Sequence, residues 1–338
     1  MTHTISFKED FLNQPEYQFL KTDPHLGSHI ILLGYGGSHA YGTNLPTSDI
    51  DVRGIARNTK SCILGVDSFE QQEDKPTDTV VYGLTKVLSL LAGCNPNVVE
   101  LLGLRKQDYF YIAPPGEYLI NNADMFLSRR AINAFGGYAT AQLRRLQNAL
   151  AHDSYPQAEK NKHILGSIQN AMHTFNDRYS DTYGKLVVRL NDKNELVADV
   201  IMHGYPLDEL HGMLSEMTSI MREYNKLNHR NNKKDDMHLN KHAMHLIRLL
   251  ITGEEILRTG KIKTYRDKEH DLLMDIRNGK YQKENHDFSP EFYDILNEYD
   301  AKFKYAAEHT VLPAKPNTEK INDFLREVNL KTILYDND

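Results

Sequence analysis

The feature that most narrows what this 338-residue chain can fold into is an apolar run, Ser28 to Tyr35, that ends in Gly36-Gly37-Ser38. After ten intervening residues comes Asp49-Ile50-Asp51-Val52. The run has the length of a buried strand, and the glycines stop it. A Gly-Ser pair after a strand and before a helix offers backbone N–H groups and a hydroxyl at a helix N-terminus, an arrangement suited to phosphate. Asp49 and Asp51, two apart on a strand, send both carboxylates to one face, where they can share divalent metal. Mg²⁺ takes one or two protein carboxylates together with phosphate oxygens, and two such ions can clamp the attacking and leaving oxygens of an in-line displacement. Each piece alone is commonly a turn or a polar loop end. The combination at this spacing points to phosphoryl or nucleotidyl transfer.

The flanking sequence predicts an α/β (α+β) core. A short helix is expected at Ser38 to Tyr41, a turn-rich loop at Gly42 to Ser48, and strands at Ile50 to Ala56 and Asp78 to Tyr82. A helix follows at Leu84 to Ala92. Beyond Ser128, a plausible N-cap, the pattern is mainly helical, toward Ala151 with a kink expected at Gly136-Gly137. Further helices are expected at Leu207 to Lys226, Leu239 to Thr259 (stopped by Gly260), Asp271 to Arg277 and Pro290 to Glu308, with a small hairpin over 186–201 about a turn at Asn191 to Asn194. Residues 70 to 74, with Glu70, Glu73 and Asp74, read as a solvated loop. The expected division is a mixed-sheet domain over 1–127 and a mainly helical domain over 128–338.

The fuller string Gly37-Ser38-His39-Ala40-Tyr41-Gly42, with Ser48-Asp49-Ile50-Asp51-Val52-Arg53-Gly54, resembles the nucleotidyltransferase signature of the DNA polymerase beta superfamily. Within it, the chain is similar to the RNA-repair-associated nucleotidyltransferases encoded beside RNA ligases and in phage genomes. Asn95 to Leu102 and Lys241 to Leu250 also resemble that family. The resemblance implies that Gly37 and Ser38 hold the β and γ phosphates of an NTP and that Asp49 and Asp51 bind Mg²⁺, with two ions expected and Mn²⁺ as a substitute. It also implies a third carboxylate on a neighbouring strand. Asp78, which opens Thr79 to Tyr82, is the first choice, ahead of Glu100, Glu70, Glu73 and Asp74. Glu100 reads equally as a buried structural partner. The implied reaction moves an NMP to a hydroxyl and releases pyrophosphate, with an RNA or tRNA end as acceptor. Nucleotidylation of a protein or small molecule, and nucleotide or RNA binding without turnover, stand as alternatives.

On the helix from Leu239, Lys241, His245, Arg248 and Thr252 recur at spacings of three and four among apolar neighbours, forming one basic stripe on an otherwise apolar cylinder. A buried basic stripe needs an anion, so Lys241, His245 and Arg248 are candidate nucleotide contacts; a solvated face is the other reading. His238, His242 and His245 lack the further ligands of a zinc site, and His270-Asp271 reads as incidental. Arg129, Arg130, Arg144 and Arg145 read as a solvated face, and Arg53 and Arg57 either meet phosphate or orient an aspartate.

The net charge of −6, taken alone, argues against a nucleic-acid partner, but it is unevenly spread. Residues 1–127 hold 9 basic and 15 acidic side chains, whereas 128–163 hold 6 and 2, and 221–248 hold 7 and 3. Two basic segments therefore lie inside an acidic chain. Cys62 and Cys94, the two cysteines, suit a reducing compartment. The sequence shows neither a signal peptide at Met1 to Asp10 nor an apolar run near the ~20 residues that span a bilayer, so a cytoplasmic protein is expected.

Overall fold

The computed structural model describes residues 6–154, 184–193, 195–202, 204, 214, 218, 236–284 and 286–336. The expected helix over Leu207 to Lys226 lies outside them except for Leu214 and Thr218, as does the Asn/Lys-rich patch at 228–234. Two compact units are present. One comprises Met1–Leu143, Asn240–Tyr281 and Ser289–Asp338, and the other comprises Arg144–Leu239 and Gln282–Phe288. The helices Pro290–His309 and Thr318–Tyr335 thus belong to the same unit as the sheet.

The first unit is built on a mixed five-stranded sheet, as expected for an α/β core. Its strands are β1 (Ile30–Tyr35), β2 (Val52–Ala56), β3 (Gln71–Asp74), β4 (Thr79–Gly83) and β5 (Tyr109–Ile112), in the order β3-β4-β2-β1-β5. β1 runs antiparallel to β2 and β5, β2 is parallel to β4, and β3 is antiparallel to β4. The central strand β1 is a continuous apolar run because both of its faces are covered. Leu12, Leu20, Leu26 and Phe110 pack with Ile30, Leu33, Val52 and Val81 in one buried cluster. The helix Pro114–Asn121 lies so close to β1 that a side chain at Gly116 would run into the Ile31 carbonyl.

This topology gathers three chain segments at one end of the sheet. The register pairs Tyr35 with Val52 and Val52 with Thr79. The residues just after β1 and just before β2 and β4 therefore converge: Gly36-Gly37, Asp51 and Asp78. Gly36 N–H donates to the Asp51 carbonyl at 2.8 Å, and Val52 N–H donates to the Asp78 carbonyl at 3.1 Å.

Three local expectations change. Residues 71–74 form the edge strand β3 rather than a loop, because pairing with β4 satisfies their backbone while their side chains stay at the surface. β2 starts at Val52, so both aspartates of the motif precede the strand instead of lying in it. The helix Arg130–Ser154 is continuous through Gly136-Gly137, and a Cβ would meet the Phe303 ring only at ordinary contact distance at Gly136 and nothing at Gly137. Ser128 accepts from Arg130 N–H at 3.4 Å near the start of that helix. In the second unit, β6 (Gly184–Leu190) and β7 (Leu196–Met202) form the expected hairpin, and the Asn191 side-chain oxygen accepts from the N–H groups of Lys193 and Glu195 in its turn. Among the described residues, no helix is long and apolar enough to cross a membrane.

Candidate active site

Gly37 begins the helix Gly37–Tyr41 with a φ of +54°, in the left-handed region that favours glycine, and a side chain there would strike the Asp51 carboxylate. The Gly-Ser turn and Asp51 are therefore in contact. Asp51 is half-buried and hydrogen-bonded to Asp78. Burial first, and then that bond, push its carboxyl up to about 6, against the opposing charge of Arg53. The Arg53 guanidinium reaches Asp51 Oδ1 at 3.1 Å and Asp78 Oδ1 at 3.2 Å from one nitrogen, and its other terminal nitrogen donates to the Asp78 carbonyl at 2.6 Å. Asp78 itself has a φ of +46° and is about half exposed. Asp49 is exposed and has no ion-pair partner among the described residues. Glu70 and Glu73 are exposed on or beside β3, and Glu70 pairs with Lys86 at 2.5 Å.

Glu100 approaches the same turn from a different direction. It is buried, and it accepts from Gly37 N–H at 3.3 Å and from the Tyr41 hydroxyl. Burial raises its carboxyl and also holds the Tyr41 phenol far above its usual range, while the Arg248 charge pulls Glu100 back down. Arg248 is buried, with its guanidinium 3.7 Å from the centre of the Tyr41 ring. Of the basic stripe, Arg248 and Thr252 are buried, His245 is half-buried and Lys241 is exposed. The stripe therefore brings Arg248 to the Gly-Ser helix and leaves Lys241 at the surface.

Arg277 is a residue that sequence reasoning missed. It ends the helix His270–Arg277, is buried, and donates to the Ser48 hydroxyl at 3.0 Å, one residue before Asp49. A lone arginine in a last helical turn carries no signal in a single sequence, because it usually serves only as a favourable charge there. Tyr265, also unremarked, lies against Gly42 and under the Arg105 guanidinium, 3.4 Å from its ring centre.

The other candidates resolve locally. Arg57 pairs with Asp336, His242 bonds to Gln142 at 3.1 Å, and His270 bonds to Asp271 at 3.2 Å. Arg129, Arg130, Arg144 and Arg145 are exposed, as expected of a solvated face. His25, Cys62 and Asp67 lie close together: the thiol is 3.8 Å from His25 Nδ1 and 3.7 Å from Asp67 Oδ2, and the carboxylate is 3.8 Å from Nε2.

Residues 15–175 match the RlaP family, described as the RNA repair pathway DNA polymerase beta family. The resemblance read from the Gly-Ser and Asp-x-Asp motif is thus borne out by the family. Its description points to a polymerase-beta-type nucleotidyltransferase, and the match contains Gly37, Ser38, Asp49, Asp51, Asp78 and Glu100. No curated protein matches the chain.

Proposed function

We propose that this protein is an Mg²⁺-dependent nucleotidyltransferase that moves a nucleoside monophosphate from an NTP to a hydroxyl of an RNA end. The observation that carries the reading is the meeting of the Asp51 and Asp78 carboxylates, bridged by Arg53, against the Gly36-Gly37 turn. Hard oxygen donors clustered at the start of the Gly37–Tyr41 helix fit Mg²⁺, and the cation between the two carboxylates is the Arg53 side chain. Asp49, Asp51 and Asp78 would hold the metal, which would polarise phosphate oxygens and activate the acceptor hydroxyl. The amide end of the Gly37–Tyr41 helix and Ser38 receive the triphosphate. Arg248, fixed on Tyr41 and balanced by Glu100, offsets its charge; Lys241 and His245 are more distant contributors. Such catalysis works by positioning and electrostatics rather than by a protein nucleophile. The RNA acceptor rests on the family's description.

Incubation with each α-labelled NTP, Mg²⁺ and total RNA tests this reading. Label is expected on RNA and is expected to vanish in the Asp49→Ala plus Asp51→Ala variant. Label on protein would move the acceptor, and nucleotide binding without aspartate-dependent transfer would reject catalysis.

A further inference from the structure

A second feature beside this site asks for an anion. Arg277 is 8% exposed, and its Nε and Nη1 are buried without a hydrogen-bond partner among the described residues. Its one bond among the described residues, from Nη2 to Ser48 Oγ, goes to a neutral acceptor. No ion pair joins Arg277 to a carboxylate among the described residues, and burial, followed by the nearby Arg248 charge, pulls its guanidinium below the ordinary value. Two guanidinium groups therefore face each other's field, and Glu100 feels the charges of Arg248 and Arg53 rather than that of Arg277. A buried charge without a counter-charge costs stability, and such a cost is retained where a ligand supplies the missing charge. The surrounding groups narrow that ligand. Ser48 begins the approach to Asp49, Tyr41 carries Arg248, and both belong to the segment that starts at the Gly-Ser turn. A planar fork with two N–H groups unpartnered among the described residues suits tetrahedral phosphate oxygens.

We propose that Arg277, with Arg248 beside it, forms a binding site for the polyphosphate tail of the nucleotide substrate, distinct from the Gly-Ser amides. The inference rests on the nucleotidyltransferase reading for the identity of the nucleotide, but its binding test does not.

The test titrates the full-length protein with inorganic tripolyphosphate in Mg²⁺ buffer and compares wild type with Arg277→Met and Arg277→Lys. Arg277→Met is expected to weaken binding about 10- to 100-fold, the range for losing hydrogen bonds to a charged group. It is also expected to raise the ligand-free melting temperature by about 1–3 °C, since an apolar chain of similar length replaces an uncompensated charge. Arg277→Lys keeps the charge and the fold but loses the fork, so it should bind several-fold more weakly than wild type. Tripolyphosphate affinity within twofold of wild type in both variants would overturn the proposal. So would a melting temperature that falls in Arg277→Met and is restored in Arg277→Lys, because that pattern marks a structural arginine. Loss of binding to a short single-stranded RNA with tripolyphosphate binding unchanged would assign the site to the acceptor and reject the polyphosphate. If wild type transfers no nucleotide yet binds tripolyphosphate through Arg277, the enzymatic reading fails and this site stands.

Discussion

At the scale of single residues, the site is a set of charges held against a glycine. Gly37 combines a positive φ with contact to the Asp51 carboxylate, so Gly37→Ala incurs both backbone strain and a clash. It is expected to lower stability by about 1–3 kcal/mol in urea unfolding and to abolish transfer in the labelled-NTP assay. Glu100 and Arg248 are coupled through burial. Glu100→Ala leaves Arg248 without its counter-charge and is expected to cost about 3–5 kcal/mol, whereas Lys241→Ala, at an exposed position, should stay within about 0.5 kcal/mol of wild type. Equal losses from the two substitutions would show that the charge balance assigned to Glu100 is wrong.

At the scale of elements, parallel pairing of β2 with β4 is what brings Asp78 to Asp51, twenty-seven residues away in sequence. The C-terminal helix Thr318–Tyr335 braces the loop after β2: Arg57 bonds to Thr332 at 3.0 Å and pairs with Asp336, and Asn58 donates to Asn329 at 3.0 Å. Its buried face carries Ile321, Phe324 and Val328. Ending the chain after residue 317 removes these three side chains, each contributing about 1.5–3 kcal/mol. Thermal unfolding of that truncated protein is expected at a clearly lower temperature than for the full chain. An unchanged transition would mean that the helix is dispensable.

At the scale of the whole molecule, the distribution of charge matters more than its sum. The acidic excess of residues 1–127 includes the carboxylates at the Gly-Ser turn, while Arg248 and Arg277 come from beyond residue 240 and pack in the same unit. The two cysteines report on that packing. Cys62 is partly exposed, whereas Cys94 is buried and its thiol is pushed up by that burial, so it is both inaccessible and poor in thiolate. Alkylation of the native protein at pH 8, read by mass spectrometry, is expected to modify Cys62 alone, with Cys94 reacting only in denaturant. Equal labelling of both under native conditions would contradict the packing around Ser128, whose carbonyl and hydroxyl lie near the Cys94 sulfur.

The sequence by itself displayed the resemblance to the family that residues 15–175 match, the mixed α/β core and the Gly37-Ser38 and Asp49-x-Asp51 motif, because backbone conformation and close spacing leave marks that a single chain displays. Helical period also marked Arg248, although not which end of its stripe would be buried. Only the tertiary structure decided that Asp78 meets Asp51 through strand register, that Glu100 is bound to the Gly37 amide, and that residues 71–74 are a paired edge strand. Arg277 was beyond sequence reasoning for the same physical reason: an arginine at a helix end looks alike whether water or protein surrounds it. Burial without a partner, which makes it a candidate anion ligand, arises only when distant segments pack.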